Sequence, residues 1–252
     1  MLERVFVGLT SKEKKIGYLL ILPTYFLIGS YIVSFLFLQI LKINGLSLTN
    51  NQINAYYNFF YDGILVLFCL FLLRQFIKRS ISGFKNYAIK DLVWATTSGF
   101  VLLYGSQIAS NIVTMLLVPE SSSANQDAIV ELLGSEFTVI AITTVFLAPI
   151  LEEIIFRGII FAGIYDKSRI GAYLVSSLLF GSLHILNGVL AGDLTQLVYL
   201  LPYSVLGFVF AYSYEKKGTI MVPMYLHMLN NLASVLAILL ISWYCFYFDN
   251  RK

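Results

Sequence analysis

FTVIAITTVFLAPILEEIIFRGIIFAGIY, residues Phe137–Tyr165, decides the fold class of this chain. It is long enough to cross a bilayer, which takes about 20 apolar residues. Its only charged residues are Glu152, Glu153 and Arg157, all near the middle. A charge at membrane depth costs about 2.5–3.5 kcal/mol on insertion scales. Side chains kept there face a partner or a wet cavity, so the stretch reads as a buried spanning helix that carries chemistry.

The rest of the chain agrees. Its 252 residues are 58% hydrophobic and 12% charged, whereas a soluble domain carries about a quarter charged residues. Seven candidate spans follow: Ile16–Leu41, Phe60–Ile77, Leu92–Val118, Phe137–Tyr165, Ile170–Leu186, Gln196–Tyr214 and Thr219–Phe248. An eighth short segment could hide among them. The first is too long for a cleaved signal peptide and reads as an uncleaved span. The expected fold is all-α, a polytopic bundle forming one transmembrane domain over residues 1–252.

Lys and Arg gather in cytoplasmic loops. With the N-terminus inside and each segment crossing once, thirteen of the seventeen basic residues fall inside. The segment from Pro119 to Glu136 holds four acids and no Lys or Arg, and reads as an outer loop. The basic residues are scattered through short loops, which gives no support to a nucleic-acid partner; lipid is the expected surrounding. Cys69 and Cys245 both lie in apolar runs and read as small buried hydrophobes.

The polar residues inside the spans form a constellation. Glu153 and Arg157, four apart, share a helix face and form a brace; Glu152 is turned about 100° away and is the working group. The chain's two histidines, His184 and His227, both lie in apolar helices. Phe180 stands one turn before His184 and packs beside its ring. His227 shares a face with Asn231, while Asn230 is assigned to packing. At 1.5 Å per residue, Glu152 and His184 are each about 21 Å from the loop between their helices and His227 about 15 Å from the same side, so the three can meet in one cavity. Pro149 and Pro223 favour kinks nearby. Three small-residue pairs, Gly158 with Ala162, Ser177 with Gly181 and Gly207 with Ala211, read as close helix packing. Asp62 reads as an interfacial acid near the end of the second span.

A carboxylate and an imidazole facing one water make a general-base pair. A second imidazole and a carboxamide can stabilise an oxyanion. Those are the parts of a peptide-bond hydrolase. The same atoms of Glu152, His184 and His227 could instead hold a divalent metal with an open water position. The residues alone leave both designs open. Neither H-E-x-x-H nor G-x-S-x-G occurs.

The string Glu152-Glu153-Ile154-Ile155-Phe156-Arg157-Gly158 resembles the E-E-x-x-x-R signature of the CPBP family, the CAAX proteases and bacteriocin-processing proteins also called Abi. Phe180-Gly181-Ser182-Leu183-His184 is similar to that family's F-x-x-x-H, and His227-Met228-Leu229-Asn230-Asn231 to its H-x-x-x-N. The resemblance covers residues 137–237 and implies a catalytic core there. It implies an intramembrane endopeptidase in which Glu152 and His184 activate water, while His227 and Asn231 stabilise the oxyanion or bind metal. The cofactor it implies is either none or a divalent metal such as zinc. It also implies a peptide or membrane-protein substrate and a role in peptide maturation, bacteriocin immunity or cell-surface regulation. The composition suits a bacterial, low-GC source, a plasma-membrane location and unprenylated substrates. A non-catalytic membrane regulator or immunity protein, or a proton-coupled transporter, would use the same buried groups differently; the inverted repeats of transporters are not evident.

Overall fold

The computed structural model describes residues 6–119 and 121–249, with side chains described to Tyr244. Arg4, Glu120, Arg251 and Lys252, which entered the charge reading, lie outside the described residues, as does the side chain of Cys245.

Nine helices are present among the described residues: α1 (Ser11–Ile43), α2 (Asn50–Leu72), α3 (Arg74–Lys85), α4 (Ala88–Leu117), α5 (Ala124–Ser135), α6 (Phe137–Tyr165), α7 (Arg169–Leu190), α8 (Leu194–Lys217) and α9 (Met221–Asp249). All but α3 and α5 are long and apolar enough to cross a membrane, giving seven spans and a multi-pass membrane protein. The bounds of the fourth span are those read from the sequence. Two other expectations change. The second span begins at Asn50, ten residues earlier than expected, because Thr49 and Gln52 form a capping box that starts the helix there. The acidic loop contains α5, whose N-terminus is capped by the Ser123 hydroxyl.

Helix α6 is the axis of the bundle. Every residue of Glu153–Phe161 is buried, so this part of the helix is surrounded on all sides, while Phe137, Ile142 and Phe146 nearer its start remain exposed. By contrast α1 exposes Leu19, Tyr31 and Ile43, side chains suited to lipid. α7 and α8 form the most extensive helix pair. The expected small residues bring them together: a Cβ added to Gly207 would lie 2.9 Å from Ser177 Cα, and one added to Gly181 would lie 2.4 Å from Ser204 Oγ.

At Pro149 the helix loses a backbone hydrogen bond, with a local cause. The turns of α6 widen to the π type over Thr143–Leu147, where Ala148 N–H donates to Thr143 O. The next donor in that register would be Pro149 N, which has no hydrogen, so Thr144 O is freed. Asn231 Nδ2 donates to it at 2.8 Å, repairing the break. The expected kink at Pro223 is not needed. α9 starts at Met221, so Pro223 lies in the first turn, where backbone N–H groups have no helical acceptor.

One end of the bundle is stitched shut by ion pairs. Glu13 binds Arg79 at 2.6 Å, Lys14 binds Asp166 at 2.7 Å and Arg169 binds Glu215 at 2.5 Å. Lys217 lies 3.5 Å from Asp91. Tyr165 and Tyr173 also donate to Glu215, at 2.5 and 2.6 Å. This is the end that carries the basic loops.

Candidate active site

The three expected polar centres meet. Glu152 Oε2 lies 4.0 Å from His184 Nε2 and 3.8 Å from His227 Nε2. The three side chains are only 15%, 14% and 5% exposed. They line one cavity of about 620 Å³, together with Asn230 and Asn231.

The other nitrogen of each ring is tied down. His184 Nδ1 is 2.8 Å from Phe180 O, which can only accept, so Nδ1 carries the proton. His227 Nδ1 is 3.0 Å from Glu153 Oε1. Each ring then presents a bare Nε2 lone pair to Glu152. Aromatic contacts hold the planes: Tyr203 stacks against His184 with centroids 4.6 Å apart, Phe210 stacks against His227 at 4.5 Å, and Phe180 packs tilted against His184 at 4.5 Å.

Beneath this lies the ion pair. Glu153 Oε1 accepts from Arg157 at 3.1 Å, with both side chains fully buried. Arg157 also donates to Gly207 O at 2.8 Å and sits over the Phe180 ring at 4.5 Å. Glu153 is therefore more than a partner for Arg157, since the same oxygen positions His227. Asn231 accepts from Asn230 at 3.1 Å and gives one amide hydrogen to Thr144 O. Its second hydrogen meets no acceptor among the described residues. Asn230, expected to be packing, thus belongs to the cavity wall.

Asp62 requires a correction. Because α2 starts at Asn50, Asp62 sits in the middle of the span and lines the same cavity as Glu152. The Thr49-x-x-Gln52 cap was the sequence signal for this. Tyr203 and Phe210, which clamp the imidazoles, left no comparable signal among many aromatics.

Whether these residues suit a metal can be judged from their spacing. Ligands 2.0–2.1 Å from a tetrahedral zinc lie about 3.3 Å from one another; the Glu152–histidine separations are wider. Among the described residues no group of three His, Cys, Asp or Glu side chains could hold a metal ion. The Nδ1 contacts are of the kind that orient metal-binding histidines, but the arrangement as it stands is not a metal cage.

Most of the cavity lining on the spans comes from the first half of α2, α6 and α8, reaching their midpoints at Asp62, Glu152 and Leu206, and from the second half of α4 and α7, while α9 contributes residues from His227 to Ile238 around its middle. Those halves of α2, α4, α6, α7 and α8 lie away from the stitched end. Ser123, Asn125 and Gln126, at the start of α5, flank the cavity at that far side.

The fold and site together define a multi-pass helical membrane protein with an acid–histidine centre sunk among its spans. Residues 134–233, which include every motif residue above, match the family described as type II CAAX prenyl endopeptidase Rce1-like. The resemblance read from the three motifs is borne out. Over 164 residues the chain is 32% identical to the Bacillus subtilis (strain 168) protein named "Putative membrane peptidase YdiL", covering 64% of this chain and 63% of that one. An uncharacterized protein of Mycoplasma capricolum subsp. capricolum is 31% identical over 180 residues, covering 66% and 49% of the two chains. The UPF0177 protein YvdC of Lactococcus lactis subsp. lactis is 25% identical over 206 residues, covering 79% and 76%. The match spans less than two thirds of the length of the first two relatives. No solved structure matches the chain.

Proposed function

We propose that the protein is an intramembrane endopeptidase that cuts a peptide bond of a membrane-associated peptide or protein. One observation carries this reading: Glu152 Oε2 faces the free Nε2 of two histidines within 4.0 Å. Three lone-pair atoms turned toward one another need a donor between them, and its simplest form is water. A water about 2.8 Å away can touch Oε2 and either ring nitrogen at once.

As that water attacks the scissile carbonyl carbon, its proton passes to Glu152, with His184 orienting it. A C–O bond forms and the carbonyl oxygen becomes an oxyanion. Asn231, which lines the same cavity, would donate its second amide hydrogen to it. His227, its Nδ1 held by Glu153, donates from Nε2 to the same oxyanion when it enters the reaction already protonated from solvent, and it keeps that proton throughout. When the C–N bond breaks, the proton held by Glu152 goes to the leaving amine. Residues 137–237 supply every group in this scheme. A metal, if bound by Glu152, His184 and His227, would polarise the water and the carbonyl; the ring orientations suit that, and their spacing does not.

The distribution of basic residues supports a plasma-membrane protein with its N-terminus in the cytoplasm. The cavity then lies toward the outer face. Peptide maturation, bacteriocin immunity and cell-surface regulation are the roles that suit such a site.

The test is cleavage of membrane-inserted peptides by purified protein in vesicles, with and without chelator. Cleavage that survives chelator and disappears in Glu152→Gln is expected. A cellular phenotype left intact by Glu152→Gln would instead favour a non-catalytic regulator.

A further inference from the structure

The cavity holds a second acid that the catalytic scheme does not use. Asp62 projects from the middle of α2, within a membrane span. Among the described residues lining the cavity, Asp62 and Glu152 are the only charged ones, and neither Lys nor Arg is present. The ion pairs of the fold lie elsewhere, at Glu153–Arg157 and at the stitched end, and none involves Asp62 among the described residues. Nor does its carboxylate take a hydrogen bond from any described residue. It faces the cavity instead.

An acid in a span normally has a partner or lines a pathway. Here the fold supplies no cation, so a cation that arrives with the ligand completes the site. The surrounding wall is also telling. Asn58, Gln107, Asn111 and Asn125 line the same space, and carboxamides both donate and accept, as a peptide backbone does. These groups can pair with a peptide backbone, while Ile108, Ile129, Leu132, Val235 and Ile238 make the rest of the wall apolar and suit apolar side chains of the same peptide.

Resting on the endopeptidase reading above, we propose that Asp62 is a specificity subsite for a Lys or Arg side chain of the substrate, close to the bond that is cut. The carboxamide wall holds the adjoining peptide backbone. The substrate is therefore a peptide segment carrying a basic residue, taken in from the end of the bundle opposite the basic loops.

The experiment uses internally quenched Ala/Leu peptides in phosphatidylcholine vesicles containing the purified protein. A single Lys, Gln or Glu is scanned along each peptide. The expected result is one position at which Lys lowers KM at least about tenfold relative to Gln. Asp62→Asn should raise KM for the Lys peptide to that of the Gln peptide. Asp62→Lys should move the preference to Glu. Equal KM for Lys and Gln peptides at every position, or a Lys preference that persists in Asp62→Asn, overturns the proposal. If no peptide is cut, the endopeptidase reading fails first. Equilibrium binding of the Lys and Gln peptides to wild type and Asp62→Asn then decides Asp62 separately, since it needs no turnover; equal affinities would overturn it.

Discussion

Arg157→Met should destabilise the protein by about 3–5 kcal/mol, because it strands a buried carboxylate. The guanidinium and the Glu153 carboxylate are 3.1 Å apart and both fully buried. At an effective dielectric of about 20, two unit charges at that distance attract by about 5 kcal/mol. With Arg157 gone, Glu153 keeps only His227 Nδ1, and its Oε2 already lacks a partner. Gly207 O loses its donor as well. In Glu153→Leu/Arg157→Met no charge is left behind, and such double replacements of buried pairs are often neutral. Thermal unfolding followed by the fluorescence of Trp94 and Trp243 reads the effect. For a chain of this size, the single change should lower Tm by about 10 °C. The double variant should recover at least half of that, a coupling of about 2 kcal/mol or more. It should nevertheless be inactive, because no acceptor then fixes the tautomer of His227 through Nδ1. Additive losses of stability, or full activity in the double variant, would refute the assigned roles of this cluster.

Three further outcomes follow from single contacts. Glu152→Gln, His184→Ala and His227→Ala should each lower peptide cleavage at least about 100-fold. Glu152→Gln should leave Tm unchanged or raised, since Glu152 Oε2 is buried without a hydrogen bond; wild-type turnover by any of the three counts against the mechanism. Gly207→Ala should cost about 1–3 kcal/mol, read as a lower Tm, because the new Cβ would lie 2.9 Å from Ser177 Cα on α7. Thr49→Ala should cost about 1 kcal/mol by removing the cap of α2, whose Oγ1 accepts from Gln52 N at 3.3 Å; an unchanged Tm would mean that α2 is held by packing alone.

Much of the molecule could be read before its tertiary structure was known. Hydropathy gives seven spans because a bilayer demands long apolar helices whatever their packing. Spacing gives the Glu153–Arg157 pair because residues four apart share a face of any helix. The packing of Phe180 beside His184 follows in the same way. These are local consequences of helical geometry, and they needed no knowledge of neighbours. The depth of Glu152, His184 and His227 was also legible, as three distances along straight helices from one boundary.

What only the tertiary structure decided is which groups face one another across helices. No spacing along the chain says that Glu153 serves Arg157 and His227 with one oxygen, that Asn231 repairs the carbonyl freed by Pro149, or that Tyr203 and Phe210 clamp the two imidazoles. Asp62 is the clearest case. Its residue type was plain, but its place depended on a cap at Thr49 and on how α2 rotates against α6. Contacts between helices depend on relative rotation and tilt, which are set by the packing of the whole bundle and have no period in the sequence.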